Sequence, residues 1–476
     1  MNKFSKIAAV FMALCISASA VALTGCEGSK STGSSSTGDS SSKLDSSSKV
    51  DTSSVKEIYY LNFKPEISEK YTEIAKKYEE ETGIKVKVST AASGEYEKTL
   101  TTQMANADSA PSIFQINGPV GYENWKDYCA DLSGTELYDS LSDKSLAVTS
   151  GEGVYGVPYA VEGYGIIYNN AIMKKYFESD KKTTEYKSMD EIKSYDALKA
   201  VVEDMTKLSK DLGIKGVFAS TSLKTGDDWR WQTHLMNLPL FYEFNTETGS
   251  SITNCLNAKE LEFKYADNFK NVFDLYIENS CTEKNQLGSK TVDESMSEFA
   301  LGQVAMVQNG NWAWGQISGT EGNVVAESDI KYLPIYSGTE NEANQGLCIG
   351  TENYFAVNSQ SDPAVQQASI DFLEWLFSSD YGKKAVVEEL GFIAPFTTFK
   401  EDEKPSDPLA KEVLSWMEKD GVESVVWTFA GIPSEQWKND FGAGLLQYAQ
   451  GQKEWTAVVD DAKASWKAEV EMKEEA

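Results

Sequence analysis

From residue 58 onward the chain alternates short apolar runs with apolar stripes at helical spacing. Residues 58–63 form an apolar run that ends at Lys64-Pro65. Ile67, Tyr71, Ile74, Ala75 and Tyr78 then fall on one face of a helix. Gly83 is placed to stop that helix, and Ile84, Val86 and Val88 alternate as strand residues do. Tyr96, Leu100 and Met104 repeat the helical period before a second apolar run at residues 113–116. This β-α-β-α-β order predicts a sheet covered by helices, an α/β fold. Further along, residues 197–208 and 265–277 read as helices, and Val365, Ala368, Phe372, Leu373 and Leu376 form another apolar stripe. No internal repeat is visible.

The amino end follows a different pattern. Lys3 and Lys6 precede an apolar stretch at residues 7–23, which closes on Leu23-Thr24-Gly25-Cys26. The length and flanks are those of a signal peptide, and the ending resembles a bacterial lipoprotein signal. That resemblance implies cleavage after residue 25 and lipidation of the Cys26 thiol. Two or more acyl chains would hold the protein firmly at a membrane surface. Between Glu27 and Ser54, 13 of 28 residues are serine, too few of them apolar to offset the entropy of ordering. Residues 26–54 therefore read as a tether, with a mean reach of roughly 30 Å. About 420 residues follow, more than one core usually holds, so two domains are expected.

Composition narrows the function. The net charge is −29, and removal of the signal takes away two lysines and no acids, which argues against nucleic acid and against docking on anionic lipid. Cys129, Cys255, Cys281 and Cys348 remain in the folded part, spaced like no zinc or redox motif. A Cys255–Cys281 disulfide and four free thiols both stay open. With a single histidine, His234, a His-Glu-x-x-His zinc site is excluded. There is no Gly-x-Ser-x-Gly elbow and no phosphate loop. Nothing calls for a cofactor, a metal in the binding site or a second copy of the chain, and a structural metal ion stays open. A pair of carboxylates for glycoside hydrolysis stays open, because 73 acids allow many pairs.

Two clusters point to binding. Asp227-Asp228-Trp229-Arg230-Trp231-Gln232-Thr233-His234 contains the chain's single arginine and single histidine. A guanidinium is planar, forks two hydrogen bonds and stacks on aromatic faces. With Trp229 and Trp231 beside it, the segment suits a sugar, which has apolar C–H faces and hydroxyl edges. The structural alternative has both tryptophans in the core and Arg230 paired with Asp227 or Asp228. The second cluster, Asn309-Gly310-Asn311-Trp312-Ala313-Trp314, follows an apolar strand pattern and sits at its exit, where α/β proteins place ligands, with Trp312 and Trp314 as core residues the structural alternative.

The stretch 298–314 resembles the signature of family 1 extracellular solute-binding proteins, the maltose-binding protein type that serves ATP-driven sugar importers. Tyr155-Gly156-Val157-Pro158-Tyr159 followed by Ile166-Ile167-Tyr168-Asn169 resembles the family's Gly-x-Pro turn and return strand. Gly350 with residues 354–358 and 363–377 resembles the strand and helix that recross between lobes. Ala110-Pro111-Ser112-Ile113-Phe114 resembles the Pro-Asp-x-x strand entry, with Ser112 where Asp is usual. The resemblance covers residues 55 to about 437.

It implies a two-lobe periplasmic-binding-protein-like fold (type II), with a hinge and an interlobe cleft. Residues 55–165 and 333–377 would form the N-terminal lobe, and 166–332 and 378–476 the C-terminal lobe. Trp312 would be the sugar-stacking platform, with Trp229, Trp231 and Arg230 next to it. Tyr159, Glu162 and Tyr164 lie where the family places hydrogen-bonding and stacking groups. Asn62 and Asn117 end early strands and would bond hydroxyls, Asn311 is a further ligand-binding candidate beside Trp312, and Trp427 and Phe429 lie near a later Gly431-Ile432-Pro433 turn. The expected protein is a monomeric, lipid-anchored, non-enzymatic carbohydrate-binding protein on the extracellular face of the cell membrane. It would capture an oligosaccharide and deliver it to ABC transporter permease subunits. The competing readings are an anchored glycan-degrading enzyme and a binder of peptides or other solutes.

Overall fold

A computed structural model of the chain describes residues 50–475, apart from 92–94, 108, 341, 352 and 401. Cys26, the signal segment and most of the tether lie outside the described residues. The strands are β1 (Glu57–Asn62), β2 (Lys85–Thr90), β3 (Ile113–Asn117), β4 (Val148–Ser150), β5 (Gly153–Pro158), β6 (Glu162–Asn169), β7 (Gly216–Phe218), β8 (Val304–Gly310), β9 (Ile330–Leu333), β10 (Gln345–Gly350), β11 (Asn353–Val357) and β12 (Glu423–Val426). They build two mixed sheets. The first runs β2-β1-β3-β11-β5-β4, and the second runs β12-β10-β6-β8-β7, with β9 paired to β6.

Both sheets carry helices on both faces, which is why their strands are apolar on both sides. In the first, Ile58 and Tyr60 of β1 pack with Tyr71, Ile74 and Tyr78 of the helix Ser68–Thr82 and with Phe372, Leu373 and Leu376 of the helix Pro363–Ser378. Leu61, Phe114 and Ile116 point the other way, onto Tyr96, Leu100 and Met104 of the helix Tyr96–Met104. The first helix ends where the pattern predicts. Gly83 adopts a left-handed φ of 77° and its N–H bonds Glu79 O, a conformation glycine takes without steric cost. The second sheet is covered on one side by Leu198, Val201, Val202 and Met205 of the helix Tyr195–Lys207, and by Phe269, Val272 and Phe273 of the helix Ala266–Glu278. The C-terminal helices Glu435–Ala449 and Trp455–Glu475 extend that core through Trp437, Phe441 and Trp466.

Among the described residues the chain passes between the sheets at 159–161, between Gly350 and Asn353, and between the loop containing Phe396 and the helix Pro408–Glu418. These positions differ in places from the expected lobe boundaries. Residues 162–165 and 345–350 pair within the second sheet, through Tyr164↔Cys348 and Gly163↔Ile349. Phe392 and Phe396, beyond residue 378, pack in the core of the first sheet. The reason is pairing. β10 is the antiparallel neighbour of β6 and must lie in the sheet that β6 builds, which local patterning along either strand does not reveal.

All four cysteines of the folded part are free thiols, so Cys255 and Cys281 do not form a disulfide. Burial pushes the Cys129 and Cys348 thiols up to about 12 and Cys281 up to about 11, so they behave as small core residues.

The third crossing carries a titratable cap. Asp407 accepts the Ala410 N–H at 2.8 Å at the start of the helix Pro408–Glu418. Burial, reinforced by Glu327, pushes its carboxyl up to about 7. A carboxyl raised on folding binds its proton more tightly in the native state. Stability at this residue is therefore full below the unfolded value near 3.8 and is lost as pH rises through about 7. Asp407→Asn keeps a cap acceptor without charge. Its melting temperature should exceed that of the wild type at pH 8, with the gap closing toward pH 4. A gap that does not change with pH would contradict this.

Candidate ligand site between the lobes

The ends of β1, β6, β8 and β10 approach one another where the sheets face. In the turn after β1, Asn62 accepts the Lys64 N–H at 3.0 Å and donates through Nδ2 to Lys64 O at 2.6 Å and to Thr90 Oγ1 at 3.1 Å. Its amide is thereby committed to shaping the turn. The turn aims Lys64 across the divide, and Lys64 Nζ pairs with Glu162 Oε1, on the first residue of β6, at 2.7 Å. Glu66 lies 3.6 Å from the same ammonium. Lys64 and Glu162 are only 6% and 5% exposed, so this is a desolvated pair joining the two lobes. Burial also holds the Glu66 carboxyl above its usual range, against the pull of Lys64.

Opposite the pair stands a cluster of rings. The indole of Trp312 folds back over the end of β8, and a Cβ on Gly310 would lie 2.1 Å from one of its ring carbons. Only glycine at that position permits the arrangement, which gives the Asn-Gly-Asn-Trp sequence its physical meaning. Gly350 plays the same part for Trp427, whose ring would meet a Cβ at 2.6 Å. Trp312 is half-buried. Its ring centroid lies 6.2 Å from Trp229, 5.5 Å from His234 and 6.5 Å from Trp427. Lys64 Nζ lies 5.3 Å from the Trp312 centroid, within cation–π range. Phe429 closes the cluster, 5.3 Å from Trp427 and 5.7 Å from His234. Tyr164 stacks face to face on His234 at 4.2 Å.

Of the residues singled out from the sequence, Trp312, Trp229, Trp427, Tyr164 and Glu162 are thus brought to one place. Asn311 lies alongside, with Oδ1 accepting the Gly163 N–H at 2.9 Å. Asn117 is half-buried at the end of β3, in register with Asn353. The others serve the cores. Trp231 packs on Phe273 and Tyr276, with its Nε1–H donating to Thr221 O. Tyr159 packs between Phe355 and Phe392 in the first lobe. Arg230 is 1% exposed and bonds neither Asp227 nor Asp228. Its Nη1 donates to Gln308 O at 3.1 Å, and Nη2 donates to Ser222 Oγ at 2.6 Å and Ser295 Oγ at 2.8 Å. Desolvation holds the guanidinium down at about 10.

Sequence reading did not place Lys64 or Glu66 in the site, and it marked His234 only as part of the segment 227–234. Lys64 had one signal, a charged residue between the end of an apolar strand and a proline. His234 had its singularity alone.

Residues 73–412 match the family model of the bacterial extracellular solute-binding proteins. The chain belongs to that family. This binding protein also shares its fold with solved relatives. A chitin oligosaccharide binding protein aligns with TM-score 0.66 and 16% identity, over 87% of this chain and 99% of that one. RafE in complex with raffinose aligns with TM-score 0.65 and 17% identity over the same shares. Maltose-bound MalE3 of T. maritima aligns with TM-score 0.63 and 14% identity, again over 87% and 99%. No curated protein sequence matches the chain. Among the described residues no helix is long and apolar enough to cross a membrane.

Proposed function

We propose that this solute-binding protein captures a carbohydrate, an oligosaccharide rather than a single hexose, and passes it to the permease subunits of an ABC importer. It works as a monomer held at the extracellular face of the cell membrane by lipid on Cys26. The observation that carries the reading is the convergence of Trp312, Trp229 and Trp427 at the end of the second sheet, facing the Lys64–Glu162 pair. Indole faces suit the C–H faces of sugar rings, and a carboxylate accepts hydroxyls through charge-assisted bonds. More than one indole suits more than one sugar ring. The chitin oligosaccharide, raffinose and maltose named for structures of the same fold agree with this. Closure of two lobes on such a ligand is favoured only by its difference in affinity between open and closed forms.

A thermal-shift screen of the purified protein against mono- and oligosaccharides tests the reading. Millimolar sugar over a micromolar site adds about 4 kcal/mol to the folded state, so a cognate sugar should raise the melting temperature clearly. The bound sugar should then be recovered unchanged. Absence of any shift over a broad panel would remove the carbohydrate, and a shortened product would make the protein an enzyme. The anchor has its own test. Cys26→Ala should move the protein from the membrane fraction to the soluble fraction, and a variant that stays with membranes refutes lipidation at Cys26.

A further inference from the structure

His234 is the chain's one histidine, and it is 4% exposed. It lies in the π-helix Arg230–Leu235, where the Met236 N–H bonds the Trp231 carbonyl five residues back. A π turn is a rare widening of the helix that recurs at functional sites. Here it is braced on two sides. Arg230 Nη1 donates to Gln308 O and Gln308 Nε2 donates back to Arg230 O at 2.8 Å, which ties the turn to β8. Tyr164 OH donates to His234 O at 3.0 Å, and its ring lies within 8° of parallel to the imidazole, which ties the turn to β6.

The imidazole is therefore firmly placed, yet its Nδ1 has no hydrogen-bond partner among the described residues. The Trp427 Nε1–H is buried and unpartnered in the same way, on a ring 6.2 Å from the imidazole. An unmade hydrogen bond at a buried polar atom costs about 1–3 kcal/mol. Two such atoms in one ring cluster, beside Trp229 and Trp312, point to a group supplied from outside the chain. Burial, reinforced by Lys438, Arg230 and Lys64, holds the imidazole well below its usual value. The ring is neutral, with one nitrogen bearing a lone pair.

Building on the carbohydrate reading, we infer that His234 and Trp427 form a recessed polar subsite for one hydroxyl of the saccharide. The Trp427 Nε1–H donates to the hydroxyl oxygen, and the hydroxyl proton is donated to His234 Nδ1. A hydroxyl is donor and acceptor at once, so it supplies what each of the two atoms lacks. A sugar lacking that hydroxyl leaves both unpaired, and this makes the pair specificity-determining.

A single histidine allows a direct test, because the imidazole nitrogens of ¹⁵N-labelled protein give one pair of signals. The probes are maltotriose, raffinose and chitotriose. In the free protein the signals should show a neutral ring with unprotonated Nδ1. With a saturating saccharide the Nδ1 signal should move to that of a hydrogen-bond acceptor. His234→Phe keeps the stack on Tyr164 and removes the nitrogen. It should weaken binding at least tenfold without lowering the melting temperature of the free protein, and Trp427→Phe should weaken binding similarly. An Nδ1 signal that saturating sugar does not move overturns the subsite and leaves the carbohydrate reading standing, as does wild-type affinity in His234→Phe. A wild-type protein that binds none of the three and shifts with no sugar of the broad panel loses the carbohydrate reading, and the subsite with it. Should His234→Phe fail to fold, the Nδ1 signal alone decides.

Discussion

Replacing Trp312 by alanine is expected to weaken saccharide binding at least tenfold, about 1.4 kcal/mol or more, while the melting temperature of the free protein moves by only a few degrees. The ring is half-buried at the end of β8, on the surface that faces the other lobe, and it packs against the edge of the second sheet's core beside the rings of Trp229 and Trp427. Truncation therefore removes a stacking face and opens little of the interior. Titration calorimetry of the variant beside its thermal melt separates the two roles. A melting temperature lowered by more than about ten degrees with unchanged affinity would make Trp312 a packing residue. In a domain pair of this size, about 1 kcal/mol moves the midpoint by a few degrees at most, so the two outcomes do not overlap.

Arg230→Ala is expected to do the reverse. The guanidinium is buried and spends its Nη donors on Gln308 O, Ser222 Oγ and Ser295 Oγ, linking the π-helix to β8 and to the helix Val292–Ala300. Ser222 holds a left-handed φ of 54° at this contact, a conformation a serine keeps only where its surroundings enforce it. Removing the side chain leaves buried acceptors unpaired and a cavity behind them. The relief of desolvating a cation offsets part of that loss, and a net destabilisation of about 3 kcal/mol is expected. Urea unfolding measures it. A variant of wild-type stability with lost affinity would return Arg230 to the ligand site.

Arg230 shows how far one sequence can be read. Its singularity and its flanking tryptophans marked residues 227–234 as special, and they are, but the arginine supports the site from behind. Trp229 reaches the ring cluster while Trp231, two residues on, enters the core. Helical geometry turns residues two apart to different sides, and which side faces the ligand depends on where β8 lies. Asn62 is similar. A strand-end asparagine suggests a ligand contact, whereas here its amide is committed to the turn that carries Lys64. Lys64 then becomes the residue that reaches the other lobe.

The local elements and the fold class are legible in the one-dimensional pattern alone. Apolar periodicity, Gly83 after the first helix and Gly310 before Trp312 are short-range facts, governed by backbone sterics and by which face each residue presents. The order of strands and helices followed from the same signals, and the motifs at 155–169 and 298–314 carried the family. Which residues meet depends on how the sheets pair and pack. Lys64 and Glu162 stand 98 positions apart. Trp312 and Trp427 belong to segments whose contact depends on sheet order, and β10 joins β6 through hydrogen bonds that no local pattern encodes. Contacts of that kind arise from the packing of two sheets against their helices, so the composition of the site became visible only once the strands were paired.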